Sequence, residues 1–227
     1  MTPIKDRTIY VSGMSKSMED KCFWFDKIPR DDYSTVTDYG CADGTFLQKV
    51  REYNPNCFIC GIDIDDWMLQ RAEEKFDYKA RFINEAFLDK PIHTQGDVLN
   101  LSSVIHEIYS YKSPQEIDNF WNYVKGHKYV CIRDMCINNT IKHKLSPGLP
   151  YIGEEEALRR SEFESLWGPI EYLGNYVHYL LKYRYIVNWD REVKENYLPM
   201  SRGALQYTAQ TLGYSIIFDE HYTLPFL

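Results

Sequence analysis

A chain of 227 residues can bury one substantial core without disulfides or metals, and two independent domains would be cramped in it. Hydrophobic residues at 44% and charged residues at 26% exclude a disordered chain. A formal charge of −7 speaks against a strongly basic surface that would hold nucleic acid non-specifically by neutralising phosphates, although a local basic patch stays open.

In chain order, MTPIKDRTIYVSGMSKSMEDK has no apolar stretch of signal-peptide length, and no later window approaches a membrane span, so a cytoplasmic protein is expected. Tyr10 to Phe25, with Met14, Met18, Trp24 and Phe25, reads as a helix that caps the core or closes over a ligand. Ser34 to Gly40 reads as a first strand, followed by a helix from Thr45 to about Tyr53. Asn56 to Ile64 is a second strand, and Asp66 to Phe76 a helix with acidic residues at its start. Cys57 and Cys60 form a C-x-x-C, but no second Cys/His pair stands at zinc spacing, so no metal is expected and the six cysteines read as reduced thiols.

Ala80 to Asn84, Asp97 to Ser103 and Lys128 to Met135 read as third, fourth and fifth strands, with a helix from about Pro114 to Lys125. Alternating strands and helices predict an α/β fold with a parallel sheet. From about Asn138 to Pro199 the chain reads as helical and polar-aromatic. A further helix over SRGALQYTAQTLGY and strand material in SIIFDEHYTLPFL complete the chain.

The strongest signal is Asp38-Tyr39-Gly40-Cys41-Ala42-Asp43-Gly44-Thr45, a strand ending in a glycine turn that opens a helix. Gly40 can adopt backbone angles closed to other residues, and Gly44 lets the helix start approach a ligand. About 20 residues on, Gly61-Ile62-Asp63-Ile64-Asp65 ends the second strand with a carboxylate able to accept from ribose hydroxyls. An acidic residue before the turn, Asp38, suits a ligand carrying an ammonium group and would repel a diphosphate. That distinction disfavours a nicotinamide dehydrogenase.

These residues resemble the class I S-adenosylmethionine-dependent methyltransferases. DYGCADGT stands where that family has D-x-G-x-G-x-G, with Ala42 in place of the middle glycine, and GIDID followed by Trp67-Met68-Leu69 resembles its second motif. GDVLNLSSVIHEIYSY is similar to its fourth strand and the helix that faces the active site, and CIRDM to its fifth strand. The resemblance implies a single doubly wound domain over 1–227, with a mostly parallel seven-stranded sheet, a helical cap over 1–30 and a helical substrate-recognition insertion over 138–199. It implies S-adenosylmethionine as cofactor, held by Asp38, Gly40, Cys41, Ala42, Gly44, Asp63, Ile64, Met68, Asn84, Glu85, Leu101 and Ser102.

Methyl transfer from a sulfonium asks the protein mainly to position the nucleophile, and a base helps only where that nucleophile is protonated. His106 and Glu107, just past the fourth strand, are the candidate catalytic pair, with a packing or capping histidine as the plain alternative. Asp134, Tyr176 and Tyr179 are the candidate acceptor contacts, while Arg133 offers Asp134 a simple ion pair. Absent signatures argue against DNA amino methylation, cytosine C5 methylation, the commoner ribose methylation and metal-dependent catechol methylation.

Tyr172, Tyr176, Tyr179 and Tyr183 share one helical stripe that either packs the insertion or lines an acceptor pocket. Lys182, Arg184 and Arg191 between the rings would suit a nucleotide or RNA, while Glu171, Asp190, Glu192 and Glu195 offset them. The acceptor is therefore read as a small molecule or a nucleotide or RNA, methylated on oxygen or nitrogen. A non-catalytic scaffold, or another S-adenosylmethionine-using transferase, is the alternative.

Overall fold

The computed structural model describes residues 17–76, 79–84, 96–137, 144 and 154–222, without the side chains of Arg184 and Tyr185. The chain divides into two compact units, one formed by Val11–Ile105 and Ser113–Asp134 and the other by Met1–Tyr10, His106–Lys112 and Met135–Leu227.

The first unit holds the sheet. After a short helix α1 (Met18–Lys21) come β1 (Thr35–Tyr39), α2 (Thr45–Tyr53), β2 (Phe58–Asp63), α3 (Asp66–Glu73), β3 (Ala80–Asn84) and β4 (Val98–Ser102). Helix α4 (Ile105–Tyr111), which from His106 on belongs to the second unit, comes next in the chain, and α5 (Pro114–Val124) and β5 (Tyr129–Arg133) complete the first unit. All pairings are parallel, in the order β3-β2-β1-β4-β5. The order reverses between β1 and β4, the switch point at which open α/β sheets bind ligands beyond the strand carboxyl ends. Fully buried Val36, Ile59, Val98 and Leu99 pack with Trp24, Phe46 and Leu47 into the core, the near-continuous apolar strands of a sheet covered on both faces.

Two expectations need correction. The long helix expected up to Phe25 is, among the described residues, only the four residues of α1. Beyond Lys21 the chain turns, because Trp24 drops its indole into the core and donates Nε1–H to Asn100 Oδ1 at 3.3 Å. The terminal strands expected in Ser215–Leu227 have no counterpart in 215–222, where Ile216, Ile217 and Phe218 are exposed; five strands form the sheet among the described residues.

The second unit is helical. It contains α6 (Glu154–Trp167), α7 (Leu173–Lys182), a 3-10 turn over Tyr183–Asn188, α8 (Trp189–Glu192) and α9 (Arg202–Thr211), the last being the helix expected after Pro199. Its core is Phe163, Ile170, Tyr179, Trp189 and Val193, with Trp167, Tyr176 and Tyr183 packed against it. No helix among the described residues is long and apolar enough to cross a membrane.

Candidate cofactor site

The turn after β1 is built from three left-handed residues: Gly40 (φ 79°), Ala42 (φ 46°) and Gly44 (φ 74°). Ala42, in place of a glycine, takes the same left-handed backbone, which costs a side-chain-bearing residue about 1–2 kcal/mol. Asp63 at the end of β2 offsets that cost. Its Oδ2 accepts from the Ala42 amide at 2.8 Å and its Oδ1 from the Asp65 amide at 2.9 Å. Burial raises the Asp63 pKa, and these amide bonds oppose the rise. Asp63 thus braces the turn in addition to any ribose contact, a role that motif spacing does not reveal.

The two glycines do different work. A Cβ on Gly40 would stand 3.1 Å from Val104 Cγ2 in a backbone already closed to L residues. A Cβ on Gly44 would meet Ala72 Cβ at 3.0 Å and Phe76 Cε2 at 3.2 Å, so Gly44 makes room for α3 and its following turn, where the sequence suggested room for a ligand.

Asp38 lies at the switch point, 4% exposed, with Oδ1 accepting from Asn100 Nδ2 at 2.8 Å. Burial pushes its carboxyl up to about 6, against the lowering effect of the Asn100 bond. The chain Trp24–Asn100–Asp38 ties the N-terminal segment to this carboxylate; neither Trp24 nor Asn100 belongs to a motif, and only their long-range pairing reveals them.

Other expected contacts divide by exposure. Ile64 is 44% exposed, whereas Met68, Leu101 and Cys41 are buried in the core. Asn84 Nδ2 donates to Asp66 Oδ1 at 2.6 Å and to the Ile64 carbonyl at 3.2 Å, tying β3 to the start of α3. Glu85 lies outside the described residues. Ser102 is 7% exposed, and its Oγ has no hydrogen-bond partner among the described residues. A buried hydroxyl without a partner is the feature that a bound polar ligand would satisfy.

A family model described as a methyltransferase domain matches residues 30–183. The chain belongs to that family. A carboxylate at the switch point, a left-handed turn, Asp63 at the end of β2 and the buried Ser102 hydroxyl suit the S-adenosylmethionine that the sequence resemblance implies. A Nostoc punctiforme protein assigned as an O-methyltransferase is similar in structure, at 14% identity over 93% of this chain and 54% of that one, with a TM-score of 0.55. Human N-acetylserotonin methyltransferase in complex with S-adenosylmethionine is similar at 14% identity over 94% of this chain and 55% of that one, with a TM-score of 0.48. The methyltransferase chain thus spans about half the length of these two structures. Comparison with curated proteins gives no match.

The candidate catalytic and acceptor residues are largely engaged. Asp134 Oδ2 accepts from the Ile105 amide at 2.7 Å, capping α4 where the sequence suggested a contact with Arg133 or an acceptor. In the helical unit, Glu107 Oε1 lies 2.7 Å from Arg191 Nη2, and the same guanidinium lies 2.8 Å from Glu195 Oε1. Glu107, the second candidate catalytic residue, is thus engaged in an ion pair. His106 is 6% exposed with its ring edge-on to Tyr197 at 5.2 Å. His106, Glu107 and Glu195 bring ligand-type atoms within 4.8 Å of one another, and the Arg191 guanidinium supplies the cation of that cluster.

Tyr179 is 3% exposed, packs edge-on to Phe163 at 5.2 Å and donates to Glu156 Oε1, which places it in the core of the helical unit. Tyr176 is half-buried against the same core. Lys182 and Arg191, read from sequence as partners for phosphates, are 0% and 3% exposed. Lys182 Nζ donates to the carbonyls of Glu192 and Glu195, both at 2.6 Å, and stands 4.5 Å from the Tyr197 ring centroid. Burial brings its pKa down to about 7.

Proposed function

We propose that this chain transfers a methyl group from S-adenosylmethionine to an oxygen or nitrogen of a small molecule or free nucleotide, and not to RNA. The observation that carries the choice is the burial of Lys182 and Arg191, which takes from the surface two of the three cations set between the tyrosine rings. Bound at the switch point, the cofactor supplies a methyl group already activated on its sulfonium. Asp38 attracts its ammonium group, Asp63 accepts from its ribose and holds the Ala42 turn, and Ser102 donates to a polar atom of its amino-acid portion. Where the acceptor is protonated, His106 takes the proton.

The 138–199 segment serves acceptor recognition within one methyltransferase domain. Six cysteines without a disulfide fit a reducing compartment, the cytoplasm.

Incubation with methyl-tritiated S-adenosylmethionine and a panel of phenols, carboxylic acids, amines and nucleotides, in parallel with total RNA, tests this. Label is expected in the low-mass fraction. Transfer to RNA alone would overturn the acceptor assignment while leaving methyl transfer intact.

A further inference from the structure

The helical unit is built around a buried cation. Lys182 closes α7 with its side chain withdrawn from solvent among the rings of Phe163, Trp167 and Tyr197. Taking an ammonium out of water is costly unless its protons find acceptors. Here Nζ donates to the carbonyl of Glu192, the last residue of α8, and to that of Glu195 three residues on, both at 2.6 Å. The Glu195 amide donates to the Glu192 carbonyl at 3.1 Å, so the ammonium holds both ends of one tight turn. Just beyond it, the Tyr197 amide donates to His178 Nε2 at 3.2 Å.

That turn grips α4, which from His106 to Lys112 belongs to the same unit. Glu107, Ser110 and Tyr111 share one face of α4, at the spacing that makes helical neighbours. Arg191 Nη2 lies 2.7 Å from Glu107 Oε1, and the Tyr111 hydroxyl donates to Glu195 Oε1 at 3.0 Å. The Asn196 amide donates to Ser110 Oγ at 2.7 Å, and Ser110 Oγ donates to the His106 carbonyl at 2.6 Å. One ring joins the two ends of the path. Tyr197 has its centroid 4.5 Å from Lys182 Nζ, meets the His106 ring edge-on at 5.2 Å and donates its hydroxyl to Glu192 Oε2. Arg191, Glu195, Asn196 and Tyr197 thus reach α4 from the stretch whose carbonyls Lys182 holds.

We propose that Lys182 is a positioning residue, which sets the placement of His106 by holding the 192–197 turn against α4. With its side chain buried, it acts through Glu195, Asn196 and Tyr197 rather than on a substrate. The placement of His106 stands on these contacts alone. Its consequence for proton removal rests on the role given to His106 under Proposed function.

Proton–carbon NMR of the histidine rings at one fixed pH reads that placement, because the electrons of an aromatic ring displace the signal of a proton held at its edge. Loss of a signal in His106→Gln assigns it. Lys182→Met removes both bonds to the turn and is expected to move the His106 signal in the same direction as Tyr197→Leu, which removes the ring. Glutamine is one bond shorter than lysine and cannot hold both carbonyls, so Lys182→Gln should place the signal between those of Lys182→Met and the natural chain. A lower melting temperature in Lys182→Met with the His106 signal unmoved overturns the proposal, because Lys182 is then only a packing cation. Should Lys182→Met fail to fold, an unmoved signal in Lys182→Gln overturns it by itself. With an acceptor drawn from the panel above, kcat is expected to fall about tenfold in Lys182→Met while the acceptor KM changes less than about twofold. A moved signal with kcat unchanged would uphold the placement and remove His106 as the proton acceptor.

Discussion

Asp38 and Asp63 are both buried carboxylates at the strand ends, yet their surroundings give them different duties. Asp63 accepts from two backbone amides, so its removal loosens Ala42 as well as any ribose contact. Asp63→Ala is expected to weaken S-adenosylhomocysteine binding by about 1–3 kcal/mol, read by calorimetry, and unchanged affinity would remove the ribose assignment. Asp38 accepts from Asn100 among the described residues, and burial raises its pKa to about 6. Because the folded value lies above the unfolded one, the stability held by the neutral acid is full below about pH 4 and is lost as pH rises through 6. A ligand ammonium reverses that preference by favouring the ionised form. Cofactor affinity should therefore fall about tenfold between pH 7.5 and pH 5, and Asp38→Asn should flatten the profile. A variant that keeps the same pH dependence would show that another group is titrating.

Helix α7 shows how the same stripe of tyrosines divides once the chain is folded. Tyr179 is packed among Phe163, Tyr183 and Trp189, while Tyr172, just before the helix, is 45% exposed. Tyr179→Ala should cost about 3–5 kcal/mol of stability in denaturant unfolding, and Tyr172→Ala less than about 1 kcal/mol. Equal losses would mean that the stripe is not the core of its unit. The spacing of 172, 176, 179 and 183 made the stripe legible, because a period near 3.6 is a local property of sequence. The five strands were legible for the same reason: short apolar runs bounded by turns, found within two residues of their positions in the structure. Legibility failed where the outcome depends on distant partners. SIIF has the composition of a strand, but its residues are exposed and no strand forms over 215–222. Glu107 reads from sequence as a catalytic candidate and Arg191 as a phosphate contact, and only the pairing of the two across 84 residues shows that they share an ion-pair network with Glu195.

For the molecule as a whole, the decisive quantity is how folding redistributes charge. The sequence carries 26 Lys and Arg against 33 Asp and Glu, and the structure withdraws Lys182 and Arg191 from solvent among neutral carbonyls and carboxylates. Glu192 and Glu195 are buried beside them. Phosphate binding releases counterions in proportion to the phosphates neutralised, which makes the salt slope a count of cations that reach the backbone. A fluorescently labelled RNA titrated with this methyltransferase is therefore expected to show no saturable binding at micromolar protein, at both about 50 mM and about 200 mM salt. Addition of S-adenosylhomocysteine should not change this. Binding that weakens a thousandfold or so across that salt range would reveal a phosphate-tracking surface of several cations. The acceptor would then have to be sought among RNAs despite the burial of Lys182 and Arg191.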